Sequence, residues 1–295
     1  MAPNVWLEVA LNGPWSRAVQ PRIPITVDEI VREGIACAEA GAAIIHVHAY
    51  DPATGRQKDD AETYAAIIEG IRGHVDAIVY PTIPFAGSAD ARGSVKPEAR
   101  FAVIEALARR GLIEWAVVDP GSVNLTHRRE LAAGRSGFVY FNSEDDIRHG
   151  LELARRYGFH PSYACYEPGF VRLGAALAGH CRGVPKPLYR FMFSDDIFFG
   201  FPPALYALEA YLSLFRGEAL AAPWMVAGLA VDISPLVGEA VRRGGHARVG
   251  LEDAPFGCTL SNLELTEKAL RAIAEAGAVP ARAAEVRAAF ADAKS

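Results

Sequence analysis

The segment Thr26–His48, TVDEIVREGIACAEAGAAIIHVH, shows the unit from which we expect the whole fold to be built. It begins with a capping-box pattern, in which Thr26 and Glu29 satisfy the first free amides of a helix. An amphipathic run follows, and after Gly41 comes a short, almost continuously apolar run. This order predicts a helix followed by a strand that is buried on both faces.

The same order repeats on either side of this segment. Eight short apolar runs are predicted as strands: Val5–Ala10, Ala43–His48, Ala77–Thr82, Glu114–Asp119, Pro161–Tyr166, Leu188–Ser194, Trp224–Leu229 and Ala247–Leu251. Eight amphipathic runs are predicted as helices: Thr26–Ala40, Ala61–Arg72, Pro97–Arg110, Ser143–Tyr157, Gly169–Leu177, Pro203–Leu214, Ser234–Arg243 and Ser261–Ala276. An additional C-terminal helix is predicted at Pro280–Phe290.

Eight successive strand–helix units predict an α/β protein with a (β/α)8 TIM-barrel fold, as a single domain over residues 1–295. The chain of 295 residues is close to the roughly 250 typical of such barrels. The alternative is a doubly wound open sheet, which usually has fewer units and a G-x-G-x-x-G motif after its first strand. Here the first strand is followed by ALNGP at residues 10–14, which is not that motif.

The composition excludes several classes of function. The formal net charge is only -5 and there is no run rich in lysine and arginine, so nucleic acid is not expected as a partner. The N-terminal residues do not resemble a signal peptide, and every long apolar stretch is interrupted by charge, so we expect a cytoplasmic protein without a membrane partner. No C-x-x-C pair suggests a zinc ribbon or a redox site among the four cysteines, Cys37, Cys165, Cys181 and Cys258.

Histidine and carboxylate side chains stand at the ends of two predicted strands. The second strand ends in His46-Val47-His48, and residues two apart on a strand point to the same side. Glu252 and Asp253 directly follow the eighth strand, which becomes a neighbour of the first two when a barrel closes. We therefore expect His46, His48 and Glu252 to meet at the C-terminal mouth of the barrel.

Two histidines and one carboxylate with an open position form a catalytic zinc set, and non-haem iron(II) uses the same ligands. Zinc is the predicted metal, with manganese, nickel and iron as open alternatives. Arg248 lies on the eighth strand, where a charge is costly unless it is paired. The residues alone leave open a purely structural ion pair of Arg248 with Glu252, Asp253 or Glu8.

Weaker candidates for substrate binding follow other strands. Thr82 ends the third strand, and Ser122 and Asn124 lie in DPGSVN at residues 119–124, a pattern typical of anion-binding turns. Each of these residues could equally cap a helix or a turn. The segment Phe191–Pro202 carries five phenylalanines, which predicts either the apolar wall of a pocket or an oligomer contact.

The chain resembles the β-keto acid cleavage enzymes along nearly its whole length. The residues that carry this resemblance are Pro24-Ile25-Thr26, Glu39-Ala40-Gly41-Ala42 leading into His46-Val47-His48, the turn Asp51–Gly55 and the segment Gly244–Asp253, GGHARVGLED. The last of these is long and specific.

The resemblance implies a TIM barrel that assembles into homo-oligomers, with zinc on His46, His48 and Glu252. It implies that a small β-keto acid reacts with acetyl-CoA as co-substrate to give acetoacetate and a new acyl-CoA. Asp253, oriented by Arg248, matches the family's catalytic base. Thr82 stands near a family serine that holds the substrate carboxylate.

Departures from the family pattern concern the substrate. The prototype of the family acts on 3-keto-5-aminohexanoate and has glutamates where this chain has Trp15 and Ala164. Without these acidic groups an ammonium lacks its counter-charge, so we predict a neutral or apolar β-keto acid and count Trp15 as a substrate-binding residue. Val117 and Asp119 replace a threonine or asparagine of the fourth strand, and Ala49-Tyr50 replace an arginine seen in many members.

Two other functions stay open from the residues. One is a metal-dependent hydrolase or aldolase on the same barrel, working without coenzyme A. Amidohydrolases share the H-x-H pattern, but they need further histidines at later strand ends, which this chain lacks. The other is a non-catalytic binding protein, which the retention of Arg248, Glu252 and Asp253 argues against.

Overall fold

Eight parallel strands line the interior of the protein, and we label them β1 to β8. The computed structural model describes residues 3–84, 96–218 and 220–291. The strands are Leu7–Ala10, Ile44–Val47, Ile78–Pro81, Trp115–Val117, His160–Cys165, Leu188–Phe193, Trp224–Gly228 and His246–Val249. They are hydrogen-bonded in the order β3-β2-β1-β8-β7-β6-β5-β4. Because β3 and β4 also lie side by side, the sheet closes into the predicted barrel.

Helices surround this barrel in the predicted alternation with the strands. They are α1 Val27–Ala40, α2 Ala61–Arg72, α3 Pro97–Arg100, α4 Ala102–Arg109, α5 Arg128–Ala132, α6 Glu144–Tyr157, α7 Pro168–His180, α8 Leu205–Gly217, α9 Ser234–Arg242, α10 Asn262–Glu275 and α11 Ala283–Ala291. The capping box of Thr26 and Glu29 forms as predicted. The helix predicted at Pro97–Arg110 is broken at Phe101, so it is two helices. None of the described helices is long and apolar enough to cross a membrane.

Two excursions at the C-terminal end of the barrel were not predicted. After β2, the short strands Tyr50–Asp51 and Arg56–Gln57 form a hairpin. Between β4 and β5, the strands Val123–Leu125 and Phe138–Tyr140 form a second hairpin that carries α5. Their strands are two or three residues long, which is too short for a periodic pattern to reveal. Both hairpins bring residues to the functional end of the barrel.

The predicted C-terminal helix closes the opposite end. The Phe290 ring of α11 lies 5.3 Å from Trp6, 5.4 Å from Trp115 and 4.0 Å from His160, measured between ring centroids. These residues stand at or just before the N-terminal ends of β1, β4 and β5. The aromatic cluster therefore plugs the barrel far from the strand ends that carry chemistry.

Phe290→Ala is expected to lower the free energy of unfolding by about 3 kcal/mol, because it leaves a cavity in this aromatic cluster. Urea unfolding followed by circular dichroism measures the effect. The matched control is Phe141→Ala, since the Phe141 side chain is 44% exposed; its expected effect is below about 0.5 kcal/mol. Equal destabilisation by the two changes would show that α11 is not a plug.

Candidate active site

The three predicted metal ligands meet at the mouth of the barrel. His46 lies in β2, His48 follows it, and Glu252 follows β8 across the intervening β1. The Nε2 atoms of His46 and His48 each lie 3.5 Å from Glu252 Oε2. One ligand atom from each residue can be chosen so that all three lie within 4.8 Å of one another. All three residues are buried, so the group is shielded from bulk water.

The chemistry of these atoms fits a divalent metal ion. His48 Nε2 and Glu252 Oε2 are buried and have no hydrogen-bond partner among the described residues. His48 Nδ1 lies 2.8 Å from Gln57 Oε1, and Gln57 Nε2 donates to Asp59, which turns the amide oxygen of Gln57 towards the ring. Nδ1 of His48 is thereby the donor, and Nε2 presents its lone pair to a metal.

The protonation states also suit metal binding. Burial lowers the pKa of His46 well below its usual range, so this imidazole is neutral. Burial alone would raise the pKa of Glu252, but the Arg248 guanidinium outweighs it and holds this pKa well below its usual range. A neutral imidazole and an ionised carboxylate are the forms that bind metal.

Arg248 binds three carboxylates at once. Its Nε and Nη2 each donate over 2.9 Å to the two oxygens of Asp253. Nη2 also lies 2.8 Å from Glu252 Oε1, and Nη1 donates over 3.1 Å to Glu8 Oε1. The three structural ion pairs that the sequence left open therefore all form, and Arg248 links the metal-ligand candidate Glu252 to Asp253.

Asp253 is buried behind Arg248. It does not line the cavity described below, and both of its oxygens accept the bidentate bond from Arg248. Burial raises the pKa of Asp253 to about 6, although Arg248 opposes this. The Arg248–Asp253 pair must open before the Asp253 carboxylate can reach a substrate in the cavity.

A cavity opens above the metal-ligand candidates. Trp15, Thr82, Arg190 and Arg248 line it beside these ligands. Much of its remaining wall is apolar and includes Ile83, Val117, Phe138, Ala164, Met192 and Leu229. An apolar cavity with a few polar groups at one end is the usual form of a small-molecule site.

Two of the predicted substrate residues, Trp15 and Thr82, line this cavity, and the polar group of each already donates a hydrogen bond to a backbone oxygen. Trp15 Nε1 donates over 2.7 Å to the backbone oxygen of Glu252, and the ring packs edge-on against Phe256 at 4.9 Å. Trp15 therefore offers the cavity mainly an apolar ring. The hydroxyl of Thr82 makes one long bond of 3.3 Å to the backbone oxygen of Ile83 and is accessible to a ligand.

The other two predicted substrate residues lie elsewhere. Ser122 Oγ donates to the backbone oxygen of Asn142 and accepts from its amide, both over 2.9 Å. Asn124 is exposed in the hairpin strand opposite Val139. Neither residue lines the cavity. The hydrogen bonds between Ser122 and Asn142 instead connect two loops.

Sequence reasoning assigned no role in the site to Gln57 or Arg190, and it noted Asp119 only as a departure from the family pattern. Gln57 reaches His48 from the first hairpin, and no local pattern announces this contact. Arg190 interrupts the apolar strand LYRFMF at residues 188–193, a signal that was available. Asp119 lines the wall, where it accepts from the amide of Ala164 over 2.6 Å and from the hydroxyl of Tyr140 over 2.8 Å.

Gly13→Ala is expected to weaken zinc binding by about tenfold or more, as changes in the residues that position a metal ligand commonly do. Gly13 has φ +64°, and an added Cβ would lie 2.6 Å from Glu252 Cγ, so this ligand would have to move. Competition with a chelator measures the affinity. The matched control is Gly134→Ala, because Gly134 has φ +65° with nothing within 4 Å of an added Cβ. Equal losses would assign the effect to backbone strain alone.

Sequence comparison finds relatives along nearly the whole chain. Residues 4–291 match the sequence profile of the beta-keto acid cleavage enzymes. The chain is 27% identical over 265 residues to the 3-keto-5-aminohexanoate cleavage enzyme of Fusobacterium nucleatum, which covers 87% of this chain and 86% of that protein. It is 27% identical over 256 residues to the 3-oxoadipate:acetyl-CoA acetyltransferase of Cupriavidus necator, covering 84% and 79% respectively.

Solved structures support the fold. The binary complex of ObcA with oxaloacetate superposes with a TM-score of 0.71 at 18% sequence identity, covering 92% of this chain and 67% of that chain. At this identity the likeness concerns the barrel alone. The sequence profile spans nearly the whole chain. The chain therefore belongs to the beta-keto acid cleavage enzyme family.

Proposed function

We propose that this protein condenses a β-keto acid with acetyl-CoA and releases acetoacetate and a new acyl-CoA, using zinc held by His46, His48 and Glu252. The observation that carries the proposal is the buried group of His46, His48 and Glu252 at the foot of an apolar cavity. In this group, His48 Nε2 and Glu252 Oε2 have no hydrogen-bond partner among the described residues. Relatives named for acetyl-CoA transfer support the choice of co-substrate.

The reaction balances without a further reagent. A proton leaves the carbon between the two carbonyl groups, and this carbon bonds to the acetyl carbon while the carbon–sulfur bond of acetyl-CoA breaks. The released thiolate then bonds to the former ketone carbon. The original carbon–carbon bond breaks there, and the departing carbon regains a proton as acetoacetate.

Residues of this chain supply the positions for these steps. Zinc bound to the three ligands would polarise the ketone and carboxylate oxygens of the substrate. Asp253 is the proposed base for the first proton. The bidentate bond to Arg248 holds it beside the cavity before reaction, and this bond opens as the carboxylate turns to the substrate. Thr82, which lines the cavity, is the proposed hydrogen-bond donor to the substrate carboxylate.

The proposed substrate carries a neutral or apolar side chain. Trp15 and Ala164 give the cavity apolar surface, and burying an unpaired ammonium against it is costly. Asp119, an acidic residue of this wall, already accepts hydrogen bonds from Ala164 and Tyr140. The amino-bearing 3-keto-5-aminohexanoate is therefore a poor fit.

A metal-dependent hydrolase or aldolase without coenzyme A is the alternative. The same ligand set could activate a water or an enolate. Family membership and the acetyl-CoA-dependent relatives favour the transferase. The two functions differ in whether the product requires acetyl-CoA.

The test is to incubate the zinc-loaded protein with acetyl-CoA and three β-keto acids, and to assay acetoacetate. 3-Oxohexanoate, 3-keto-5-aminohexanoate and 3-oxoadipate supply neutral, cationic and anionic side chains. We expect kcat/KM for 3-oxohexanoate to exceed that for 3-keto-5-aminohexanoate by about tenfold or more, because burying an unpaired charge is costly. Equal values for these two would refute the side-chain proposal. Metal-loaded protein that yields no acetoacetate from any substrate would favour the alternative function.

A further inference from the structure

Arg190 is a buried charge that the proposed reaction does not use. It lies on β6, is 2% exposed and lines the cavity. Its Nε atom is buried and has no hydrogen-bond partner among the described residues. Burial would lower the pKa of Arg190, but Tyr80, Glu8 and Asp119 outweigh it and raise this pKa, so the side chain keeps its charge. The buried Nε–H group nevertheless makes no hydrogen bond of its own, which is costly.

The contacts of Arg190 within the protein are weak. Its Nη1 donates over 3.1 Å to the Tyr80 hydroxyl and lies 3.5 Å from Glu8 Oε1. That oxygen is closer to its other partners, since the Tyr80 hydroxyl donates to it over 2.6 Å and Arg248 Nη1 over 3.1 Å. Glu8 is thus mainly the partner of Arg248, and Arg190 retains donor capacity for a ligand.

The position of Arg190 in the cavity indicates which chemical group it would bind. Arg190 and Arg248 share Glu8 Oε1, and Arg248 also contacts Glu252, so Arg190 lies beside the metal-ligand group. On the neighbouring wall, Val117 offers no hydrogen-bond donor from its side chain. A guanidinium is suited to a carboxylate because its planar N–H groups match the two oxygens.

We propose that Arg190 binds a carboxylate of the β-keto acid and thereby determines specificity for anionic substrates. This inference rests on the proposed function, which supplies the anion. The carboxylate is the group next to the ketone, because the proposed side chain is neutral; a side-chain carboxylate is the second source, and finding it would overturn the neutral side chain. The chemistry of recognition is the same for both sources, and two ligands in the test separate them.

The test measures binding to zinc-loaded protein by calorimetry, without acetyl-CoA. The ligands are acetoacetate, its uncharged methyl ester and 3-oxoadipate. We expect Arg190→Met to weaken acetoacetate binding by about tenfold or more, as the loss of a charge-assisted hydrogen bond does, and to change ester binding by less than about threefold. Arg190→Lys, which keeps the charge and is the safer variant for folding, should recover part of the loss.

Each outcome bears on the inference. A loss confined to 3-oxoadipate would support Arg190 as the partner of a side-chain carboxylate. Equal losses for acetoacetate and its ester, or no loss for either acid, would overturn the role of Arg190 while the proposed function stands. Wild-type protein that binds none of the three ligands would overturn the proposed function as well. Zinc content and circular dichroism establish that each variant is folded.

Discussion

Asp253→Asn is expected to lower kcat by about 1000-fold, within the range that a positioned general base contributes. The amide keeps the shape of the carboxylate and one acceptor for Arg248, but it cannot take a proton from the substrate. Zinc content should stay unchanged, because Asp253 is outside the predicted ligand set. Steady-state kinetics with acetyl-CoA and the best substrate of the panel give kcat.

A second measurement separates the base from a structural role. In D2O without acetyl-CoA, the wild-type protein should speed deuterium exchange at the carbon between the two carbonyls, and Asp253→Asn should not. The buried position of Asp253 behind Arg248 makes this test decisive. Wild-type exchange rates in a variant that is only less stable would show that Asp253 merely holds Arg248 in place.

Loss of a metal ligand is the second large effect. His48→Ala and Glu252→Gln are each expected to lower zinc affinity by at least about 100-fold, because changes in residues that only orient a metal ligand already cost up to about 100-fold. The His48→Ala variant lacks the imidazole nitrogen that Gln57 orients towards the metal site. The Glu252→Gln variant lacks the negative charge that attracts a divalent ion. Elemental analysis after dialysis against a chelator measures the bound zinc, and activity should fall with it.

His180→Ala is the control for this experiment. His180 is an exposed histidine at the end of α7, where its ring contacts the backbone oxygen of Ala176. Its removal should leave zinc content and activity unchanged. If His48→Ala and Glu252→Gln retained stoichiometric zinc, the metal site would have to lie elsewhere. Excess zinc should restore activity to chelator-treated wild-type protein but not to the ligand variants.

The barrel was predictable because each unit carries its own local signals. Apolar runs announced all eight strands, and Ser143 and Ser261 cap α6 and α10 as Thr26 caps α1. Capping and periodicity involve residues close together in the sequence, so they can be recognised without knowing which distant residues are in contact. The pairing of Ser122 with Asn142 involves two loops and could not be read in this way.

The catalytic roles had a different origin. The H-x-H pattern and the closure of the barrel placed His46, His48 and Glu252 together, whereas the roles of Asp253 and Thr82 came from the resemblance to the family. The structure qualifies one of these roles, since Asp253 is buried behind Arg248 instead of facing the cavity. A motif names a residue type at a position but not the direction in which its side chain points.

The amino-acid sequence by itself determined the eight-unit barrel and the three metal-ligand candidates, because strand periodicity and chain order decide both. Only the tertiary structure decided that Arg248 is the closer arginine to Glu8 and that Gln57 orients His48. It also decided that Arg190 Nε has no hydrogen-bond partner among the described residues. The contacts of Arg190 with Tyr80 and of Arg248 with Glu8 join residues 110 and 240 positions apart. They depend on how side chains cross the interior of the closed barrel, which no local pattern encodes.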